Sequence, residues 1–141
     1  MIGNGQILDL RFHHVGLACK RIDVEQKAHR LLGYVDEGEI FVDPRQRIRG
    51  CFLVHGGMRI ELLEPWGEDS PLQSFLSRGL KMYHQAFETA AIDASIDELR
   101  KAGAVLVVPP TPAVAFQNRP IAFLMLRTQM LVELIQSAES S

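Results

Sequence analysis

Apolar and polar positions along this chain alternate between two rhythms, and the alternation repeats. Ile22 to Gly33 (IDVEQKAHRLLG) carries apolar residues three and four apart at Ala28, Leu31 and Leu32, the spacing of an amphipathic helix. Ile92 to Gly103 (IDASIDELRKAG) matches it at an offset of 70, with Asp, Arg and Gly recurring at the same places and Ile96 and Leu99 as apolar positions. In each copy Asp is read as the N-cap and Gly as the stop. A period-two run precedes each helix: Phe12 to Cys19 in the first copy, Met82 to Thr89 in the second. Further strands are expected at Glu39–Val42, Arg49–Val54 and Met58–Glu64, and again at Val105–Val108, Ile121–Leu126 and Met130–Gln136. Gly56-Gly57 and Thr128-Gln129 mark corresponding hairpin corners.

The pattern therefore predicts two βαβββ modules, residues 10–64 and 82–136, within one α+β domain spanning residues 1–141. Residues 65–81 form a linker with a short helix over Ser70–Ser77, Ser70 acting as cap and Pro71 standing at the first helical position. Pro109 to Phe116 reads as a proline-stiffened loop that stands as a rigid connection or a lid.

Composition narrows the functional classes. The 141 residues are 47% apolar and carry a net charge of -2, enough apolar content for a folded core and no basic stripe of the kind nucleic acid or an anionic membrane requires. The longest apolar runs, such as Ala104 to Val108, are far too short for a bilayer span, and Met1 to Leu10 lacks a basic start followed by an apolar stretch. A cytoplasmic location, a small-molecule substrate and no nucleic-acid or membrane partner are expected. The two cysteines, Cys19 and Cys51, sit in strand-like apolar surroundings and read as small core residues.

The repeat also carries chemistry. Alternation places Phe12, His14, Gly16 and Ala18 on one face of the first strand, with Val15 and Leu17 on the face that the helix covers. The offset of 70 carries His14 onto His84. The final strands of the modules, RIELLE and MLVELI, align Glu61 with Glu133 at an offset of 72, each Glu flanked by apolar residues. A carboxylate buried in such a strand needs a cation or a strong donor. Taken singly, each of the four has a plainer reading, a backbone-bonded histidine or a solvent-facing glutamate. Their repeat-related positions favour convergence on a divalent first-row metal (Zn, Ni, Co, Mn or Fe) with coordination positions left open.

Other polar residues have two readings. Arg49 and Arg119, again 70 apart, are substrate-anion ligands or solvated arginines. Gln46 and Asn118 line the same mouth or lie in loops, and Tyr83 and Phe116 close a cavity or pack in the core. His13 reads as structural, His29 as exposed on its helix, and His55, ahead of a Gly-Gly turn, as a rim residue and not a ligand.

The stretches FHHVGLAC, RIELLEP, YHQAF and LVELIQ resemble the metal-ligand strands of the vicinal oxygen chelate superfamily, which includes glyoxalase I, methylmalonyl-CoA epimerase, extradiol dioxygenases and bleomycin-resistance proteins. The nearest likeness is to the epimerase branch, over Leu10 to Gln136. The resemblance implies a cupped mixed sheet of paired βαβββ modules, a homodimer, and His14, Glu61, His84 and Glu133 as metal ligands. One position departs from that branch. The epimerase carries an acid/base Glu shortly after a Pro-x-Gln; here Pro44-Arg45-Gln46 leads to Gly50. Glycine cannot exchange a proton with a carbon acid, which argues against true epimerase activity, and its missing side chain is expected to open room beside the metal and substrate.

The leading expectation is a metal-dependent isomerase, epimerase or lyase of a small carbonyl compound or thioester, with the metal as Lewis acid and Glu133 or Glu61 as base. The rivals are a non-catalytic binding protein for a drug-like ligand and an Fe(II) dioxygenase.

Overall fold

A computed structural model describes residues 8–138. Part of the N-terminal stretch inspected for a leader, residues 1–7, lies outside the described residues. The chain divides into two compact units, one running from His14 to His84 and the other formed by the residues up to His13 together with those from Gln85 onward. Together they contain eight strands of a mixed sheet and three α-helices, an α+β fold in which each half repeats the order βαβββ.

In the His14–His84 unit, β1 (Arg11–Ala18) leads through α1 (Ile22–Leu31) to β2 (Val35–Asp43), β3 (Ile48–His55) and β4 (Met58–Pro65). The strands are ordered β2-β3-β4-β1. β1 and β4 are parallel, with Gly16 opposite Glu61, and β3 and β4 are antiparallel, with Phe52 opposite Glu61 and Gly50 opposite Leu63. The face bearing Ile60, Leu62, Cys51 and Leu53 is covered by Ile22 of α1, with Leu17 and Tyr34 at its margin. Leu63 on the other face joins Ala18, Ile48 and Leu72, the last from the short helix α2 (Leu72–Ser77). Burial pushes the Cys19 thiol up to about 12 and the Cys51 thiol up to about 11, as apolar surroundings disfavour the thiolate.

The other unit is built alike from β5 (Met82–Thr89), α3 (Ile92–Lys101), β6 (Val105–Pro112), β7 (Pro120–Met125) and β8 (Leu131–Gln136), with strand order β5-β8-β7-β6. β5 and β8 are parallel, with Ala86 opposite Glu133, the counterpart of Gly16 opposite Glu61. Ile92 and Ile96 of α3 join Ala122, Leu124, Val132 and Leu134 in the core of this unit.

Several local expectations need correction. Asp23 and Asp93 are not N-caps: the cap positions are Arg21 and Ala91, and neither makes a side-chain cap bond. The first helical N–H groups are instead satisfied from the sheet. Ile22 N–H donates to Glu64 Oε1 at 2.7 Å, and Ile92 N–H donates to Gln136 Oε1 at 3.0 Å. A side chain on the last of the three strands that follow the helix can thus supply the acceptor that a helix start requires. The apolar stripe assigned to α1 faces outward, with Leu31 89% and Leu32 66% exposed, while Ile22 and Gln26 are buried. His29 is half-buried, donating from Nδ1 to Glu25 O and lying edge-on to Tyr34. The proline-rich loop is also not a loop throughout: β6 continues to Pro112 as an edge strand, with breaks in register around Val108, before a 3-10 turn over Val114–Phe116. Prolines are tolerated there because an edge strand needs only one row of its backbone groups for pairing. Ser70 does act at the start of α2, accepting from Leu72 N–H at 3.3 Å.

Candidate metal centre

His14 stands in the middle of β1, two residues before Gly16, on the face that also carries Glu61. Residues alternate across a strand, so the opposite register of Gly16 and Glu61 puts both side-chain positions on one side of the sheet. His84 reaches the same point from the start of β5. Within this unit His14 Nε2 lies 2.9 Å from Glu61 Oε1 and 3.1 Å from His84 Nε2, and His84 Nε2 lies 3.6 Å from Glu61 Oε1. All three side chains are buried: His14 is 0%, His84 1% and Glu61 4% exposed.

A divalent first-row ion bound at about 2.0–2.2 Å keeps neighbouring ligand atoms roughly 3.0–3.5 Å apart. The observed separations span that interval, and the donor set of two imidazole nitrogens and a carboxylate oxygen is one such ions favour. A buried acidic side chain directed at two Nε2 atoms is costly in an otherwise apolar sheet, and a cation offsets that cost. The residues therefore fit a metal of unassigned identity.

Glu133 occupies the corresponding place in the other unit, at the centre of β8 opposite Ala86, and is also buried. His84 precedes Ala86 by the same two residues that separate His14 from Gly16, so the repeat is kept in register as well as in sequence.

Two residues that shape this centre escaped the sequence reading. A Cβ on Gly16 would stand 2.6 Å from His84 Nδ1, so only glycine leaves the imidazole its place. Its counterpart Ala86 carries a Cβ, and an isolated glycine where the repeat has alanine was the signal available. Phe52, directly opposite Glu61, lies edge-on to His14 with ring centroids 5.2 Å apart.

Gly50 does not open free room. It is buried, and a Cβ there would meet Phe41 Cζ at 2.7 Å, because the Phe41 ring from β2 fills the space. Arg49 alternates to the opposite face from Gly50 and reaches Glu64 Oε2 at 3.3 Å, beside the start of α1. Arg119 donates from Nη1 to Gln136 O at 2.7 Å and lies 3.6 Å from Glu88 Oε2. The offset of 70 between these arginines thus has a structural reason: in each unit a guanidinium holds the residue that caps the helix. Gln46 N–H donates to Asp43 Oδ1 in the β2–β3 turn, Tyr83 packs against Phe75 and His84, and Phe116 is buried against His13.

Comparison with known proteins places this geometry in a family. The family model described as the glyoxalase/bleomycin resistance protein/dioxygenase superfamily matches residues 13–123, a stretch that includes His14, Glu61 and His84. The ethylmalonyl-CoA/methylmalonyl-CoA epimerase of Cereibacter sphaeroides is 28% identical over 116 residues, covering 81% of this chain and 87% of that protein. The crystal structure of methylmalonyl-CoA epimerase from Mycobacterium tuberculosis matches with a TM-score of 0.78 and 28% identity, over 92% of this chain and 89% of that one. A Streptomyces coelicolor methylmalonyl-CoA epimerase variant in complex with 2-nitronate-propionyl-CoA matches with a TM-score of 0.79 and 28% identity, over 93% of this chain and all of the other. The chain belongs to the glyoxalase/bleomycin resistance protein/dioxygenase superfamily.

Proposed function

We propose that this protein is a metal-dependent enzyme of the isomerase or epimerase type that moves a proton at the carbon next to a carbonyl, in a coenzyme A thioester or another small carbonyl compound, and that it works as a homodimer. The observation that carries this reading is the buried His14–Glu61–His84 cluster, with atoms spaced as ligands of one ion. In this proposal His14, Glu61 and His84 hold the metal, and the repeat that aligns Glu133 with Glu61 makes Glu133 the proposed fourth ligand. A divalent ion there supplies Lewis acidity toward a carbonyl oxygen, which lowers the cost of removing the neighbouring proton.

The chain's own residues divide the remaining work. Glu61 is engaged by both imidazoles and serves to orient them. Glu133 accepts the substrate proton on a carboxylate oxygen and returns it, the role for which a carboxylate in a dry site is suited. Gly50, at the place where an epimerase of this type carries a second acid/base group, contributes no proton. Proton exchange is therefore served from one side, and an isomerisation in which the same carboxyl group takes the proton from one carbon and delivers it to the adjacent carbon on the same face suits the site better than inversion at carbon. The likeness to methylmalonyl-CoA epimerases supports a thioester as the substrate class. Arg49 is paired with Glu64, and Arg119 with Gln136 O and Glu88.

Deuterium incorporation in heavy water, followed by proton NMR with methylmalonyl-CoA and with the hemithioacetal of methylglyoxal and glutathione, tests the proposal. Metal-loaded protein is expected to wash deuterium into at least one of them, with Glu133→Gln losing exchange by about 100-fold or more while keeping its metal. Absence of exchange with both, in protein shown to hold metal, would favour a non-catalytic binding protein, the alternative that Gly50 supports.

A further inference from the structure

The space beside the metal centre in the His14–His84 unit is closed by aromatic carbon in place of an acid. Phe41 stands opposite Gly50 on the paired strands β2 and β3, and its ring occupies the volume that any side chain at position 50 would need. Phe41 in turn stacks on Phe52, with ring centroids 6.0 Å apart and planes 30° apart. Phe52 then meets His14 edge-on. The three rings form a continuous row from the sheet's outer strand to a ligand of the centre, on the face that bears Glu61.

Both phenylalanines are only partly buried, so ring surface remains for a ligand to cover. That surface offers no hydrogen bond and no charge. A carboxylate or phosphate pressed against it would lose water without compensation, whereas a flat apolar group gains ring contact and buried area. We infer that Phe41 and Phe52 are specificity-determining residues, selecting substrates whose carbonyl group bears a flat, uncharged substituent on the Gly50 side. This inference rests on the metal-site reading and deepens it, since the glycine that removes an acid also makes way for the ring that sets the preference.

Hydroxamates are suitable probes, because they bind divalent metals through two oxygens while their substituent is varied. Cobalt-loaded protein is titrated calorimetrically with acetohydroxamate, benzohydroxamate and the monohydroxamate of succinic acid. The expected result is benzohydroxamate binding about tenfold more tightly than acetohydroxamate, with the carboxylate-bearing compound weakest. Phe52→Ala and Phe41→Leu are expected to bring the aryl preference, measured against acetohydroxamate in the same cobalt-loaded variant, to about twofold or less. If Phe52→Ala does not fold, Phe52→Leu decides in its place, since it keeps the bulk and loses the ring. Equal affinity for the aryl and methyl compounds in the wild type, or an unchanged preference in the variants, overturns the inference and leaves the metal site standing. Failure to bind cobalt overturns the metal-site reading itself, and the inference with it.

Discussion

Gly16 and His84 make a test at the scale of single atoms. The His84 ring lies where a Cβ at position 16 would be, so Gly16→Ala must push the imidazole off its line toward His14 and Glu61. The expected outcome is a loss of metal affinity of about 10- to 100-fold, the range seen when support behind a ligand is disturbed. Gly57→Ala, at a turn with nothing within 4 Å of the new methyl, is the control and should bind metal as the wild type does. The histidines and glutamates of the centre were legible in the sequence because duplication put each at a matching place, and a coincidence of four positions is hard to produce by surface chance. Gly16 and Phe41 were not legible in the same way. Which ring fills the space over a glycine depends on strand register across β2 and β3, where a shift between Glu37 and Phe41 decides which residue faces Gly50. No pattern along one segment records that shift.

At the scale of the element, each helix begins on a side chain borrowed from the end of its module's last strand. Glu64 accepts from the first N–H of α1 and pairs with Arg49, and Gln136 accepts from the first N–H of α3 while its own amide donates to Ala90 O. Replacing either acceptor by alanine leaves a helix start without its partner, and Glu64→Ala also removes a negative group from the positive end of a helix dipole. Each substitution is expected to cost about 1 kcal/mol, read as a lowered midpoint in urea unfolding with an unchanged slope. A variant at Asp23, which is exposed and paired with its neighbour Arg21, should change the midpoint by less than about 0.5 kcal/mol. The positions of the helices were legible from their apolar spacing, yet their caps were not, because the acceptor comes from about forty residues further along the chain. The outward face of α1 was misread for a related reason: spacing shows which residues share a stripe, and only packing tells which stripe meets the sheet.

For the whole molecule, the two units repeat one plan down to the placement of a histidine and a glutamate two residues and one strand apart. The family and the α+β architecture follow from that plan, and Gly16 is one position where the copies differ, its counterpart being Ala86. In the function proposed above, this plan serves to hold a divalent ion. Metal that binds the folded state and not the unfolded chain raises the melting temperature and is lost with its ligands. The most direct test is the metal content of protein purified without chelators, measured by inductively coupled plasma mass spectrometry for the wild type and for the His14→Ala, Glu61→Gln double variant, with circular dichroism to show that both are folded. About one divalent ion per chain is expected in the wild type and less than about a tenth of that in the variant. A folded wild type without metal even after incubation with zinc, cobalt, nickel, manganese or ferrous ions, or a variant that retains the full complement, would contradict it.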